Sequence, residues 1–335
     1  MLLFDLIPLV LTSFLAITAR AESCRVVNDS LTTPDGKTIY LDFGQHGSVE
    51  DRARLETIAT TPIPPRDRDG IQYLVDDYVE RRSSLIEDHE RRSRRIEELV
   101  RQGKISFIGV ELDPQSLSSV GGTSGLLRSH RDAKSALSRR GVSNRDSSRF
   151  LTSGSIGAGS YAWLSNETVR SRTRYVPLED DGAKNSGLDQ LRAEDRLYDE
   201  LPELVASGAI SQNVASSLQA RANAAMRERR PISTSDVHTL TTMISNPAGS
   251  AWARSLLNGT NSSIATFDRR ENQVVANALS QHENGLISFG SLHRDGIIEK
   301  LESECRRMGA SSGRTRPSRT TTRSSGSTTR GHTNK

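Results

Sequence analysis

Apolar residues fall along this chain in continuous blocks, short runs and helical stripes. The first block, residues 6–17, is almost wholly apolar. Short runs follow at residues 38–43, 105–112 and 285–289. They read as buried strands, because a strand covered on both faces loses polar alternation. Between the first two runs, Ile71, Leu74, Val75, Tyr78 and Val79 recur at helical spacing. The stripe crosses a charged stretch, residues 87–95, to Ile96, Leu99 and Val100, and Gly103 ends it. A helix between two such strands makes a βαβ unit, and Pro114 stops the second strand.

The middle is less regular. Residues 113–172 are rich in Ser, Gly and Arg, with weak periodicity. Residues 174–178 read as a third strand and 188–226 as two or more helices. Ser233 caps another helix, with Asp236 beside it. Residues 246–261 read as loop. Residues 268–281 read as a helix with Val274, Val275, Ala278 and Leu279 on one face. After the last strand, a helix over 295–308 turns Ile297, Ile298 and Leu301 inward. The expected fold is α/β: a mixed, largely parallel central sheet flanked by helices. The domain covers 22–308, with a helical insertion inside 113–284.

The opening block is too short for a membrane helix, which needs about 20 apolar residues. With Ala19-Arg20-Ala21 behind it, it reads as a secretory signal, residues 1–21, cut after Ala21. The mature chain is then exported, secreted or periplasmic, and soluble, with no transmembrane anchor. Residues 309–335 are rich in Ser, Thr, Arg and Gly and are expected to be disordered. This tail holds six Arg or Lys and no acid beyond residue 312, and could touch anionic surfaces. The body reads as near neutral with both signs mixed, which gives no expectation of a specific nucleic-acid partner. Cys24 and Cys305 are the only cysteines. Export and an even count favour pairing, with two free thiols as the alternative.

The chemistry gathers at strand ends. The first strand leaves through Gly44, Gln45 and His46, the last through Gly290, Ser291, Leu292 and His293. In a parallel sheet these carboxyl ends line the binding crevice, and glycine lets backbone approach closely there. Gly44 and Gly290 are therefore ligand-contacting candidates. Glu111 lies near the end of the second strand, where a buried carboxylate needs a partner. His46, Glu111 and His293 suit either a divalent metal site with an open position or acid–base work around a substrate. Glu179 and Asp180, after the third strand, are second-rank candidates. His130 reads as a surface residue that could reach the crevice. His89, in a charged run, reads as a solvated helix face. His238, His282 and His332 have no supporting context. Residues 153–157 only faintly match a nucleophile elbow.

The two glycine–histidine turns, Gly109-Val110-Glu111, and Arg270 on the helix before the last turn resemble the TraB/GumN–Tiki–erythromycin esterase–haem-uptake (ChaN-like) superfamily. The resemblance runs in element order over about residues 38–309. It implies mixed activities: metal-dependent proteolysis, metal-free lactone hydrolysis with a histidine activating water, and haem binding. The expectation drawn from it is an exported hydrolase, divalent-metal-dependent, cleaving a peptide or ester bond of a small-molecule or peptide substrate. His46, Glu111 and His293 would hold the metal or activate water. Arg270 would steady the carboxylate or an oxyanion. The alternative is a haem- or ligand-binding protein without catalysis. The resemblance also implies that the first strand and last helix share one unit, so Cys24 and Cys305 can lie close.

Overall fold

The computed structural model describes residues 24–44, 68–119, 122–153, 166–180 and 183–312. The signal segment, His46 and residues 313–335 lie outside them.

The apolar runs become the sheet. Strands β1 (Ser30–Thr32), β2 (Thr38–Gly44), β3 (Phe107–Val110), β4 (Arg174–Pro177) and β5 (Gly285–Gly290) form one sheet in the order β1-β2-β5-β3-β4. Only β1, paired with β2, runs antiparallel. β5 lies between β2 and β3, so its six residues are all buried.

Helices cover both faces. Helices α1 (Arg68–Arg81) and α2 (Ser83–Arg101) precede β3; α3 (Pro114–Ser119), α4 (Gly122–Arg139), α5 (Asn144–Ser153) and α6 (Glu167–Arg172) follow it. After β4 come α7 (Ala183–Ala206), α8 (Gln212–Glu228), α9 (Thr234–Thr242) and α10 (Pro247–Ser280); α11 (Arg294–Ser312) closes the chain. On one face Leu41, Phe107, Ile287 and Phe289 pack against Val274, Val275 and Ala278 of α10 and Ile297 and Leu301 of α11. On the other, Ile108, Val110 and Leu286 meet Ile96, Leu99 and Val100 of α2, Leu127 of α4 and Val169 of α6. Helices α7 to α9 and the first half of α10 pack around a cluster of their own that includes Trp252, Leu256 and Leu257. Among the described residues no helix is long and apolar enough to cross a membrane.

Cys24 and Cys305 form a disulfide, with Cα atoms 5.2 Å apart. It fastens the segment before β1 to α11. Chain-entropy models assign a loop this long about 5 kcal/mol.

Some elements differ from the sequence expectation. The stripe over 71–100 is two helices, because the chain leaves helical geometry at Arg82 (φ −109°, ψ 15°). The second strand is shorter than 105–112, and Pro114 opens α3 as well as ending the extended segment. Residues 246–261 are not loop: Asn246 caps α10 through the amides of Ala248 and Gly249. Weak helix formers there are overridden by burial of Trp252, Ala253, Leu256 and Leu257 along one stripe. The tail boundary also moves, since α11 runs to Ser312.

A buried ion pair joins β2 to α2. Arg92 grips Asp42 with two hydrogen bonds, Nε to Oδ1 at 2.8 Å and Nη2 to Oδ2 at 2.6 Å, and Ser288 of β5 donates to Oδ2 at 3.0 Å. The guanidinium fills the space where a side chain on Gly44 would sit. Arg92→Ala would strand a carboxylate that is 3% exposed. The expected loss is about 3–5 kcal/mol, against about 1 kcal/mol for Ser288→Ala, both read by urea denaturation.

Candidate functional site

Parallel pairing decides what can meet at the carboxyl edge. Gly44 and Gly290 are register partners, so β2 and β5 end side by side. Val110 pairs with Ser288 and Pro177 with Val110, which brings the ends of β3 and β4 to the same edge. Side chains alternate along a strand, so Glu111, one residue past Val110, turns to the face covered by α10. There it meets Arg270.

Arg270 serves two strand ends at once. Its Nη2 donates to Glu111 Oε1 at 3.0 Å, and its Nε donates to Glu179 Oε1 at 2.6 Å. Glu111 Oε2 accepts the backbone N–H of Gly290 at 3.0 Å, so β5 fixes the other carboxylate oxygen. Burial works against the Arg270 charge, but Glu179 and Glu111 outweigh it and raise the guanidinium above its ordinary range. Glu179 has a 1% exposed side chain, and its Oε2 finds no hydrogen-bond partner among the described residues. Burial pushes its carboxyl up, Arg270 pulls it down, and Glu111 and Asp113 push it up again; the net shift is upward.

The second half of the site is built around Glu271, whose side chain is 1% exposed. Its Oε1 lies 3.1 Å from His293 Nδ1 and accepts from Arg229 Nη2 at 3.1 Å; its Oε2 accepts from Lys300 Nζ at 3.1 Å. A carboxylate at this place can only accept, so Nδ1 carries a proton, and in the neutral ring Nε2 is then bare. Burial opposes the Lys300 charge, but hydrogen bonds to Asp268 and Glu271 hold it above its ordinary range. Gly296 lies against the Glu271 carboxylate, where any Cβ would collide. The His293 ring packs against Phe267, centroids 4.6 Å apart, and edge-on to Phe289 at 5.5 Å. Its Nε2 lies 3.9 Å from Glu111 Oε1, too far for a direct hydrogen bond, so a water held by both would sit to one side of the line between them.

Arg229 reaches this cluster from the end of α8. It takes a left-handed conformation (φ 52°), donates to the Leu292 carbonyl at 2.6 Å and stacks over Phe267 at 4.2 Å. The helical insertion thereby clamps the Ser291–His293 turn.

Of the candidates read from sequence, Glu111, Arg270, His293 and Gly290 meet here, joined by Glu179; Gly44 ends the neighbouring strand. Asp180 is exposed and joins none of these contacts. His46 lies outside the described residues, as does the side chain of His130. His89 is a correction: it is 2% exposed, not a solvated residue. It lies with Arg92 on the buried stripe Leu85, His89, Arg92, Ile96, Leu99. Glu271 and Arg229 were not anticipated. Glu271 had a legible signal, since it stands three, four and seven residues before Val274, Val275 and Ala278 on the buried face. Arg229 had none, because its role depends on the fold of the insertion.

Among the described residues no group of three or more His, Cys, Asp or Glu side chains is placed to hold a metal ion. Glu111 Oε1 already faces a guanidinium at 3.0 Å, which a second cation beside it would oppose. These donors alone fit a water better than a metal, and a metal site would need His46. No family model, curated protein or solved structure matches the chain.

Glu179 generates a pH signature. Its carboxyl is raised from the ordinary 4.5, so the folded state holds the proton more tightly than the unfolded state. That contribution to stability is complete below the unfolded value and is lost as pH rises through the folded value. Urea denaturation from about pH 4 to pH 7 should show wild type losing stability relative to Glu179→Gln as pH rises. Parallel profiles would show that Glu179 is not the group responsible.

Proposed function

We propose that this chain is a hydrolase of ester or peptide bonds in which His293 is the general base. The observation that carries the reading is the fixed imidazole: Nδ1 on Glu271 at 3.1 Å, with Nε2 3.9 Å from Glu111 Oε1. A water between Nε2 and Glu111 Oε1 would be oriented by both and would lose its proton to Nε2 as it attacks a carbonyl carbon. Glu271 stabilises the imidazolium that forms, and the imidazolium returns the proton to the leaving group. Arg270 holds Glu111 as a carboxylate, so that Glu111 accepts from the water. Ordering by Glu271 and dry packing against Phe267 and Phe289 remove the alternative ring orientations.

The TraB–Tiki–erythromycin esterase resemblance supports this class of chemistry, and the histidine-based, metal-free branch agrees best with the described donors. A metal-dependent form of the same chemistry would need His46 as a further ligand. Export, implied by the signal and compatible with the disulfide, would place the activity outside the cytoplasm.

The test is a hydrolysis screen with activated esters, lactones and peptides, with and without chelator. Wild type should turn over at least one ester or peptide class without added metal. His293→Ala should lower kcat by about 10²–10⁴-fold, and Glu271→Gln by about 10–100-fold, with folding kept. Turnover unchanged in His293→Ala would overturn the proposal. A haem absorption band on titration, with no turnover on any substrate, would favour the binding alternative.

A further inference from the structure

The residue that ends α8 occupies a place where glycine is the default. Arg229 caps the helix in the left-handed conformation (φ 52°, ψ 31°). Positive φ crowds a Cβ against the backbone, so an arginine there is strained where a glycine is not. Among the described residues, the other non-glycine residues with positive φ are Cys24, Asn28 and Asp29, all in the segment before β1. A second cost lies at the tip of the side chain. Arg229 Nη1 is buried and finds no hydrogen-bond partner among the described residues. An outlier kept against both costs points to a use.

The contacts of the guanidinium show what that use is. Each of them bears on something that holds His293. Nη2 donates to the carbonyl of Leu292, the residue before the histidine, at 2.6 Å. Nη2 also donates at 3.1 Å to Glu271 Oε1, the oxygen that faces His293 Nδ1. The guanidinium carbon lies 4.2 Å from the centroid of Phe267, the ring on which the imidazole packs.

The turn has little to hold itself. Ser291 and Leu292 are exposed, Leu292 by 71%, so neither side chain anchors the three residues that deliver His293. Arg229 is itself well fixed. Asn261 of α10 brackets the loop just beyond it, accepting from the Ile232 N–H and donating to the Ile232 carbonyl, both at 2.8 Å. Phe267 and Glu271 belong to the same helix, so α10 braces the arginine as well as two of the groups it touches.

We infer that Arg229 is a positioning residue for His293, supplied by the helical insertion to fix the turn that carries the base. The inference rests on the reading of His293 as that base. A group that acts through the imidazole, without touching substrate, changes kcat and leaves KM nearly alone.

The test turns on the strained backbone. Arg229→Gly and Arg229→Ala both remove the guanidinium, but only glycine suits the conformation. Arg229→Gly should therefore melt about 2 °C or more above Arg229→Ala. Both should lower kcat by about 10–100-fold with KM within about threefold of wild type. Arg229→Lys keeps a donor for the Leu292 carbonyl but loses the planar fork, and should recover part of the loss. NMR relaxation dispersion of the His293 ring supplies a readout that needs no substrate. It should be flat in wild type and show microsecond-to-millisecond exchange in both variants. If kcat instead follows the melting temperature, with Arg229→Gly close to wild type, Arg229 is a structural cap and the inference is overturned. A flat dispersion profile in both variants overturns it as well. If wild type hydrolyses nothing while both variants show the exchange, the hydrolase reading fails and the role of Arg229 in fixing His293 stands.

Discussion

One guanidinium holds the carboxyl edge of the sheet together. Arg270 reaches from α10 to carboxylates that follow two different strands, Glu111 after β3 and Glu179 after β4. Neither carboxylate could stay buried without a cation, and one guanidinium must satisfy both. The Gly290 amide then takes the second oxygen of Glu111 and brings β5 into the same arrangement. Three strand ends are registered to one helix by charge and hydrogen bonds, where apolar packing alone could tolerate slippage.

Glu271, the residue after Arg270, extends that constraint to the imidazole. It accepts from His293, Arg229 and Lys300, which belong to the last turn, the insertion and α11. The disulfide fixes α11 at its far end, so the helix that carries Lys300 and Gly296 is held both at the site and at Cys305. Stability and site geometry are therefore coupled through α11. The insertion is coupled too, because Arg229 holds the Leu292 carbonyl and the Phe267 ring that packs on His293.

Much of this was legible in the amino-acid sequence, for identifiable reasons. β2, β3 and β5 announce themselves as continuous apolar runs because both their faces are covered. Glu111 and His293 stand where such strands end, and an acid in that position demands a partner. Other features were hidden. His89, on a buried stripe with Arg92, looked solvated because composition masks periodicity in a charged stretch. The start of α10 looked like loop because its Gly and Asn residues are weak helix formers, and only tertiary burial of Trp252 and Leu256 reverses that preference.

The central claim is that Glu271 fixes His293 with Nδ1 protonated and Nε2 bare toward Glu111. Nitrogen-15 NMR of the imidazole at neutral pH tests it most directly. The account predicts a single Nδ1–H tautomer for His293 in wild type, and tautomer averaging in Glu271→Gln. A wild-type spectrum showing the Nε2–H tautomer, or averaging that Glu271→Gln leaves unchanged, would contradict it.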